Sequence, residues 1–431
     1  MKLLLKNGTI IDPSQNMHQQ GDLLLLDGKI AALGAAAARA AEGVADLQTI
    51  EVTGKAVVPG LIDMHTHLRE PGFEYKETIR TGSEAAVAGG FTSVACMPNT
   101  DPVNDNRSVT EFILQQARQC GLANVYPVAA LSKASEGRTL TEFADLRDAG
   151  AVAFSDDGNP VIRSAVMRRA LEYAYSLGMP VISHCEDRGL AADGVMHEGL
   201  VATRLGLRGM PSIAEDVMVA RDIAIAEYTN TAVHIAHVST RGAVQLIRDA
   251  KDRGVQVTAE ATPHHFTLTD EALAEFDTNA KVNPPLRAME DVEAIQQGLK
   301  DGTIEVIASD HAPHSPLEKE VEFDYAAFGM VGLETAFSLS LRLVLDKVLT
   351  LDQLVQKMSC NPARILNLAK GTLAVGSDAD VTVFDLESEW TVTASRLRSK
   401  SKNTPFDGWT IPGRVLYTIV GGEIKYQASE S

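Results

Sequence analysis

The chain has 431 residues, 45% hydrophobic and 22% charged, enough for one large globular domain with a smaller companion. A formal net charge of -18, with no block of clustered Lys and Arg, argues against a nucleic-acid or anionic-membrane partner. The opening "MKLLLKNGTIIDPSQ" is too short and polar for a signal peptide, and no apolar run approaches the roughly 18 residues a membrane helix needs, so a cytoplasmic protein is expected.

The first elements are short β pieces, "KLLLKNGTII", "GDLLLLDGKIAAL" and "QTIEVTGKAVV", punctuated by Gly and Asp turns. An Ala-rich stretch among them, "AALGAAAARAAEG", reads as a surface connection. From Leu61 the texture changes to short apolar strands alternating with helical stretches such as "RSVTEFILQQARQC" and "RSAVMRRALEYAYSLG". The strand candidates are "LIDMHTHL", "TSVACMP", "NVYPVAAL", "AVAFSDD", "PVISHCE", "AVHIAHVS", "VQVTAEATPHH" and "EVIASDHAP". Eight β/α units in a row predict an α/β fold, a (β/α)8 TIM-type barrel over residues 58–370. After "TLDQLVQKMSCNPARILNL" the β texture returns with "GTLAVGSDADVTVFDLE", "EWTVTA" and "RVLYTIVGGEIKY". Residues 1–57 and 371–431 are therefore expected to meet in one small composite β domain beside the barrel. Cys96, Cys120, Cys185 and Cys360 are scattered without CxxC spacing and read as reduced thiols.

"LIDMHTHLR" poses the chemical question, because residues i and i+2 of a strand face the same side and His65 and His67 would project two imidazoles together. Of the 11 histidines, only His18 and His197 lie away from the barrel-strand segments. "DMHTH" ends the first strand, "SHCED" the fifth, "HIAHVS" the sixth and "ASDHAPH" the eighth, at the strand ends where this fold builds its pocket. His65, His67, His184 and His237 gathered with Asp310 would be costly without a cation, since buried polar groups need partners. Imidazoles and carboxylates suit zinc or another divalent first-row ion, and this set exceeds one catalytic zinc's usual three protein ligands, so two ions are expected. Asp156 and Asp157 in "AFSDDGNP" are the candidates to bridge them; the one not so used would support the turn.

"DMHTHLREPG", "MPNT", "SHCED", "EATPHHF", "KVNPPLR" and "ASDHAPH", in order through essentially the whole chain, resemble the dihydroorotases of the cyclic amidohydrolase superfamily, specifically the long-chain bacterial type. The resemblance implies that His65 and His67 hold the more buried ion and His184 and His237 the more exposed one. It implies that Asp157 bridges them, and that Asp310 is both a ligand and the catalytic proton shuttle. For substrate it implies that Arg69, Asn99, Asn283 and His314 grip the α-carboxylate, that His67 also faces the substrate, and that Phe328 and Gly329 contact the ring through backbone. The implied reaction is the reversible cyclisation of N-carbamoyl-L-aspartate to L-dihydroorotate, the third step of de novo pyrimidine biosynthesis, with two zinc ions as cofactors. The resemblance leaves open a homodimer and an association with aspartate transcarbamoylase.

The residue types suit this chemistry independently of the name. Bound divalent ions lower the pKa of water toward roughly 7, an aspartate can carry the proton, and a planar guanidinium can donate two parallel hydrogen bonds to a carboxylate. Two alternatives compete. A hydantoinase or allantoinase shares the ligands but usually bridges its ions with a carboxylated lysine, for which Lys133 in "ALSKASEG" is the nearest candidate and reads as a solvated cation. An inactive scaffold for a transcarbamoylase would typically lose ligands that this chain keeps. "HSPLEKEVEFDYAAFG", after the eighth strand, is expected to be a mobile lid.

Overall fold

A computed structural model describes residues 2–429, and in it the two β textures of the sequence form separate sheets. Leu61–Thr66, Phe91–Cys96, Asn124–Ala130 and Ala153–Ser155 pair in that order as one four-stranded sheet, and every pairing is parallel. Ile182–Ser183, Val233–Ile235, Val257–Ala261 and Val306–Ile307 form a second parallel sheet. Isolated parallel bridges, Phe154 to Val181 and Thr66 to His311, link the edges of the two, so the eight strands form one curled parallel sheet. Their runs are apolar because both faces are covered: every residue of Leu61–Thr66 and Phe91–Cys96 is buried.

The intervening helices follow from capping and periodicity. Thr78, Asn106 and Thr240 accept backbone N–H bonds at the starts of Ile79–Ala88, Arg107–Cys120 and Arg241–Asp252, each such cap stabilising by about 1 kcal/mol. In Arg241–Asp252 the buried positions are Ala243, Val244, Ile247 and Ala250, one stripe turned onto the strands.

Both ends of the chain build the other sheet. Its order is Glu423–Gln427, Thr410–Val420, Val381–Thr391, Ala56–Pro59, Lys2–Asp12, Met17–Leu26 and Lys29–Leu33, with Gln48–Glu51 also paired to Lys2–Asp12. Ala56–Pro59 is the seam, parallel to the first strand and antiparallel to Val381–Thr391. Leu3, Leu5, Ile10, Leu23, Val381, Val383 and Ile419 fill its core.

Some local readings need correction. The Ala-rich stretch is the helix Ala35–Ala41, whose Ala37 packs with Leu4, Leu24 and Ala32 on the terminal sheet; alanine's helix propensity and small size permit that close seat. "EWTVTA" is largely the end of the long strand Val381–Thr391, whose pairing slips between Asp385 and Glu389. After the fifth parallel strand the chain makes an excursion with a two-stranded sheet, Met196–His197 on Gly209–Met210. Among the described residues no helix is long and apolar enough to cross a membrane.

Candidate metal centre and active site

The parallel strands stop just short of the chemistry. His65 is on the first strand, while His67, Asp157, His184, His237 and Asp310 follow the ends of the first, fourth, fifth, sixth and eighth. All six are buried. His237 and Asp310 have left-handed backbones with φ of 32° and 47°, as does Arg69 at 62°, a conformation most residues avoid and one that aims these side chains off the strand path.

Asp157 lies at the middle of the cluster. Its Oδ1 is 3.4 Å from His65 Nε2, 3.4 Å from His237 Nε2 and 3.6 Å from His184 Nδ1, and its Oδ2 is 3.5 Å from His67 Nε2. Asp310 Oδ1 faces the other side of the first pair, 3.1 Å from His67 Nε2 and 3.6 Å from His65 Nε2. His184 Nδ1 and His237 Nε2 converge at 2.8 Å. Burial alone would push the Asp157 and Asp310 carboxyls up, but the surrounding imidazoles, led by His65, hold both well below the usual carboxylate range. His65 Nε2 and Asp157 Oδ1 are buried without a hydrogen-bond partner. A divalent cation between the imidazoles and carboxylates supplies the partner each lacks, so the donor set fits metal.

Asp156 points elsewhere. Its carboxylate accepts from Ser132 N at 2.9 Å and from the Ser132 hydroxyl, tying the loop after the third strand to the fourth. Gly158 follows with φ of 74°. Lys133 is exposed.

The residues assigned to substrate divide into two groups. Arg69 and His314 meet, Nη2 donating to Nε2 at 3.2 Å, while Arg69 Nε donates to the Pro313 carbonyl. Burial and the Arg69 and Lys76 cations push His314 far below the usual histidine range, so a neutral ring accepts that bond. Asn99 Oδ1 accepts from His67 Nδ1 at 2.8 Å, which leaves His67 Nε2 turned to Asp157 and Asp310. Asn283 stands apart, donating to Glu186 Oε2 at 2.7 Å, and the same oxygen is 3.6 Å from His184 Nε2. Phe328 packs against Ala191, Met210 and Ala214. The expected backbone contact at Gly329 meets an obstacle: its N–H already donates to the Lys281 carbonyl and its carbonyl accepts from Asn403 Nδ2. With φ of 135° and Ala312 Cβ 2.7 Å from where a Cβ would sit, Gly329 is required here by conformation and space.

The segment read as a lid begins with the short helix Pro316–Lys319 and is fastened from beneath by two buried lysines. Lys281 Nζ donates to the carbonyls of Phe323 and Asp324 and lies 4.5 Å over the Phe328 ring. Lys319 Nζ donates to the carbonyls of Lys281 and Ala327.

Several supporting residues carried no assignment from the sequence. Asp63 accepts from the backbone N–H groups of His65 and Ser309, tying the first strand to the residue before Asp310. Glu215 accepts from Ser239 and Thr240 N–H and holds the loop that carries His237. Asn403, from the C-terminal part, accepts from His314 N–H and donates to the Ala312 and Gly329 carbonyls. Glu260 bonds His65 and His234. The available signal for Asp63 and Glu260 was a lone acid inside an apolar strand; Asn403 had none.

A family model described as dihydro-orotase-like matches residues 54–243. Dihydroorotase from Syntrophus aciditrophicus (strain SB) is 61% identical over 427 residues, 99% of this chain and 100% of the relative. Dihydroorotase from Pelotomaculum thermopropionicum is 57% identical over 431 residues, 99% of each chain. Among solved structures, the L-hydantoinase (dihydropyrimidinase) of Arthrobacter aurescens superposes with a TM-score of 0.88 at 27% identity, covering 99% of this chain and 96% of that one. With relatives this similar across nearly its full length, the chain belongs to the dihydroorotase family.

Proposed function

We propose that this enzyme interconverts N-carbamoyl-L-aspartate and L-dihydroorotate at a centre of two divalent ions, most simply zinc, set in a closed (β/α)8 barrel over residues 58–370. Residues 1–57 and 371–431 form the composite β domain, with the seam strand Ala56–Pro59 running two residues past that boundary. The two parallel bridges between the four-stranded sheets support the barrel, and the terminal sheet supports the domain division. His65, His67 and Asp310 would hold one ion, His184 and His237 the other, with Asp157 between them. When bound, the ions supply an acidified water and polarise the carbonyl under attack.

The chain's own groups do the rest. Arg69 binds the α-carboxylate through its guanidinium, with His314 and the free amide of Asn99 beside it. In hydrolysis, the Asp310 carboxylate takes a proton from the attacking water and delivers it to the departing ring nitrogen. In cyclisation the ureido nitrogen attacks the carbon of the protonated side-chain carboxyl and gives its proton to Asp310; the C–N bond forms, the C–OH bond breaks, and the hydroxyl leaves as water with the proton that Asp310 returns.

One observation carries this reading: a single aspartate oxygen, Asp157 Oδ1, lies 3.4 to 3.6 Å from ligand nitrogens of three histidines. An aspartate at that position, rather than a lysine, favours dihydroorotase over the hydantoinases that share the fold. The test is an assay of one sample on L-dihydroorotate and on dihydrouracil, with its metal content measured. Turnover of the anionic ring, weak activity on the neutral one and about two ions per chain are expected. Strong dihydrouracil hydrolysis would move the assignment to the hydantoinases.

A further inference from the structure

Glu260 is fully buried in the fifth-to-eighth strand sheet, on Val257–Ala261, and no Lys or Arg pairs with it among the described residues. Such a carboxylate is expensive, and a hydrophobic side chain of its volume would serve packing at least as well. Its hydrogen bonds indicate what it does. Oε1 meets His65 Nδ1 at 2.5 Å and accepts from the backbone N–H of His237 at 3.3 Å. Oε2 meets His234 Nε2 at 3.1 Å, and the other nitrogen of that ring, Nδ1, meets Thr258 Oγ1 at 2.8 Å.

One carboxylate oxygen thus touches two residues assigned to different ions. An acceptor at His65 Nδ1 requires the proton there and leaves Nε2 as a bare lone pair, the orphaned atom aimed at Asp157 and Asp310. The same oxygen holds the amide of His237, whose backbone is in the left-handed region. His234 orients Glu260 in turn, with Thr258 behind it. We propose that Glu260 and His234 are positioning residues that set the tautomer of His65 and the spacing between the two ligand sets, so that one buried carboxylate governs the affinity of both ions.

This rests on the two-ion reading above, and the experiment separates the two. Stripped wild type, Glu260→Gln, His234→Ala and the double variant are titrated with zinc against a competing chelator, and melting is recorded with and without metal. For Glu260→Gln the dissociation constants of both ions should rise roughly 10- to 100-fold. The metal-free variant should melt no lower than metal-free wild type, because a buried charge has been removed, while the gain in melting temperature on adding zinc should shrink. His234→Ala should weaken zinc binding too, and the double variant by less than the sum, as expected for one connected unit. Unchanged zinc affinity in Glu260→Gln, with only a lower melting temperature of the metal-free form, would overturn the positioning role. A wild type that takes up no zinc would overturn the metal reading and this inference with it.

Discussion

Asp156 and Asp157 are adjacent and have opposite surroundings. Asp157 faces four histidines, whereas Asp156 holds the Ser132 loop, and burial pushes its carboxyl up to about 6. Asp157→Ala is expected to lose bound metal and reduce kcat/KM by about 100- to 1,000-fold, the equivalent of about 3 to 4 kcal/mol. Asp156→Ala should retain its metal, with its cost appearing mainly in the melting temperature; equal metal loss in both would remove Asp157 from the bridge. At the substrate side, Arg69→Met should lower kcat/KM for dihydroorotate by about 2 to 4 kcal/mol, read from steady-state kinetics, with metal content unchanged. The ligand candidates could be read from the sequence because each is a polar residue at the end of an apolar run. The alternation of an extended chain likewise put Asp156 and Asp157 on opposite sides. Glu186, Glu215 and Asn403 were hidden because their partners are remote: Asn403 is 89 positions from the His314 amide it accepts from.

The segment Pro316–Gly329 is held at its start by the Glu318 carboxylate, paired with Lys76 at 2.6 Å, and further along by buried ammonium groups that meet only carbonyls. Lys319 is 3% exposed and bonded only to carbonyl oxygens, so burial pushes its ammonium down to about 7. An unfolded lysine titrates near 10.4, so between about pH 7 and 10 the unfolded chain holds a proton that the folded one has released. Stability should therefore rise with pH in that window, by up to about 1.4 kcal/mol per pH unit from this group, and be flat below it. Burial also pushes Lys281 and Lys357 down, to about 8, so urea unfolding at pH 7, 8 and 9 should show a slope in both wild type and Lys319→Met, steeper in the wild type by Lys319's share. A lid that closes on substrate must also break or carry with it the bonds from Lys281 and Lys319, and hydrogen exchange of the loop with and without ligand would reveal which. Charge and aromatic content marked this loop in the sequence, but Lys281 and Lys319, which fasten it, carried no assignment there because the carbonyls they meet have no sequence signature. The strands were legible for the opposite reason, since a run buried on both faces is mostly apolar, with few polar interruptions such as Asp63 and Glu260. The excursion containing Met196–His197 was not, because its strands, unlike the equally short Ile182–Ser183 and Val306–Ile307, stand outside the repeating alternation of strand and helix.

Across the whole molecule, the proposed centre draws ligands from the ends of five of the eight parallel strands, so metal should act as a staple on that end of the fold. Stripping with a chelator is expected to lower the melting temperature by several degrees, since an ion at about 1,000 times its Kd stabilises the native state by about 4 kcal/mol. Hydrogen exchange should quicken around residues 65–69, 155–159, 237–240 and 308–312 and stay unchanged in the terminal sheet. Exchange that quickens equally in both would mean that the metal holds the entire fold. That sheet has a different history from the strands it flanks. Ala56–Pro59 borders Val381–Thr391, and about 320 residues separate Pro59 from Val381. At roughly 5 to 20 residues per second, a ribosome takes some tens of seconds to supply the missing neighbour. During that interval the newborn chain carries an apolar strand, "AVVP", with one edge unpaired and open to strangers, so this strand waits on a neighbour made long after it.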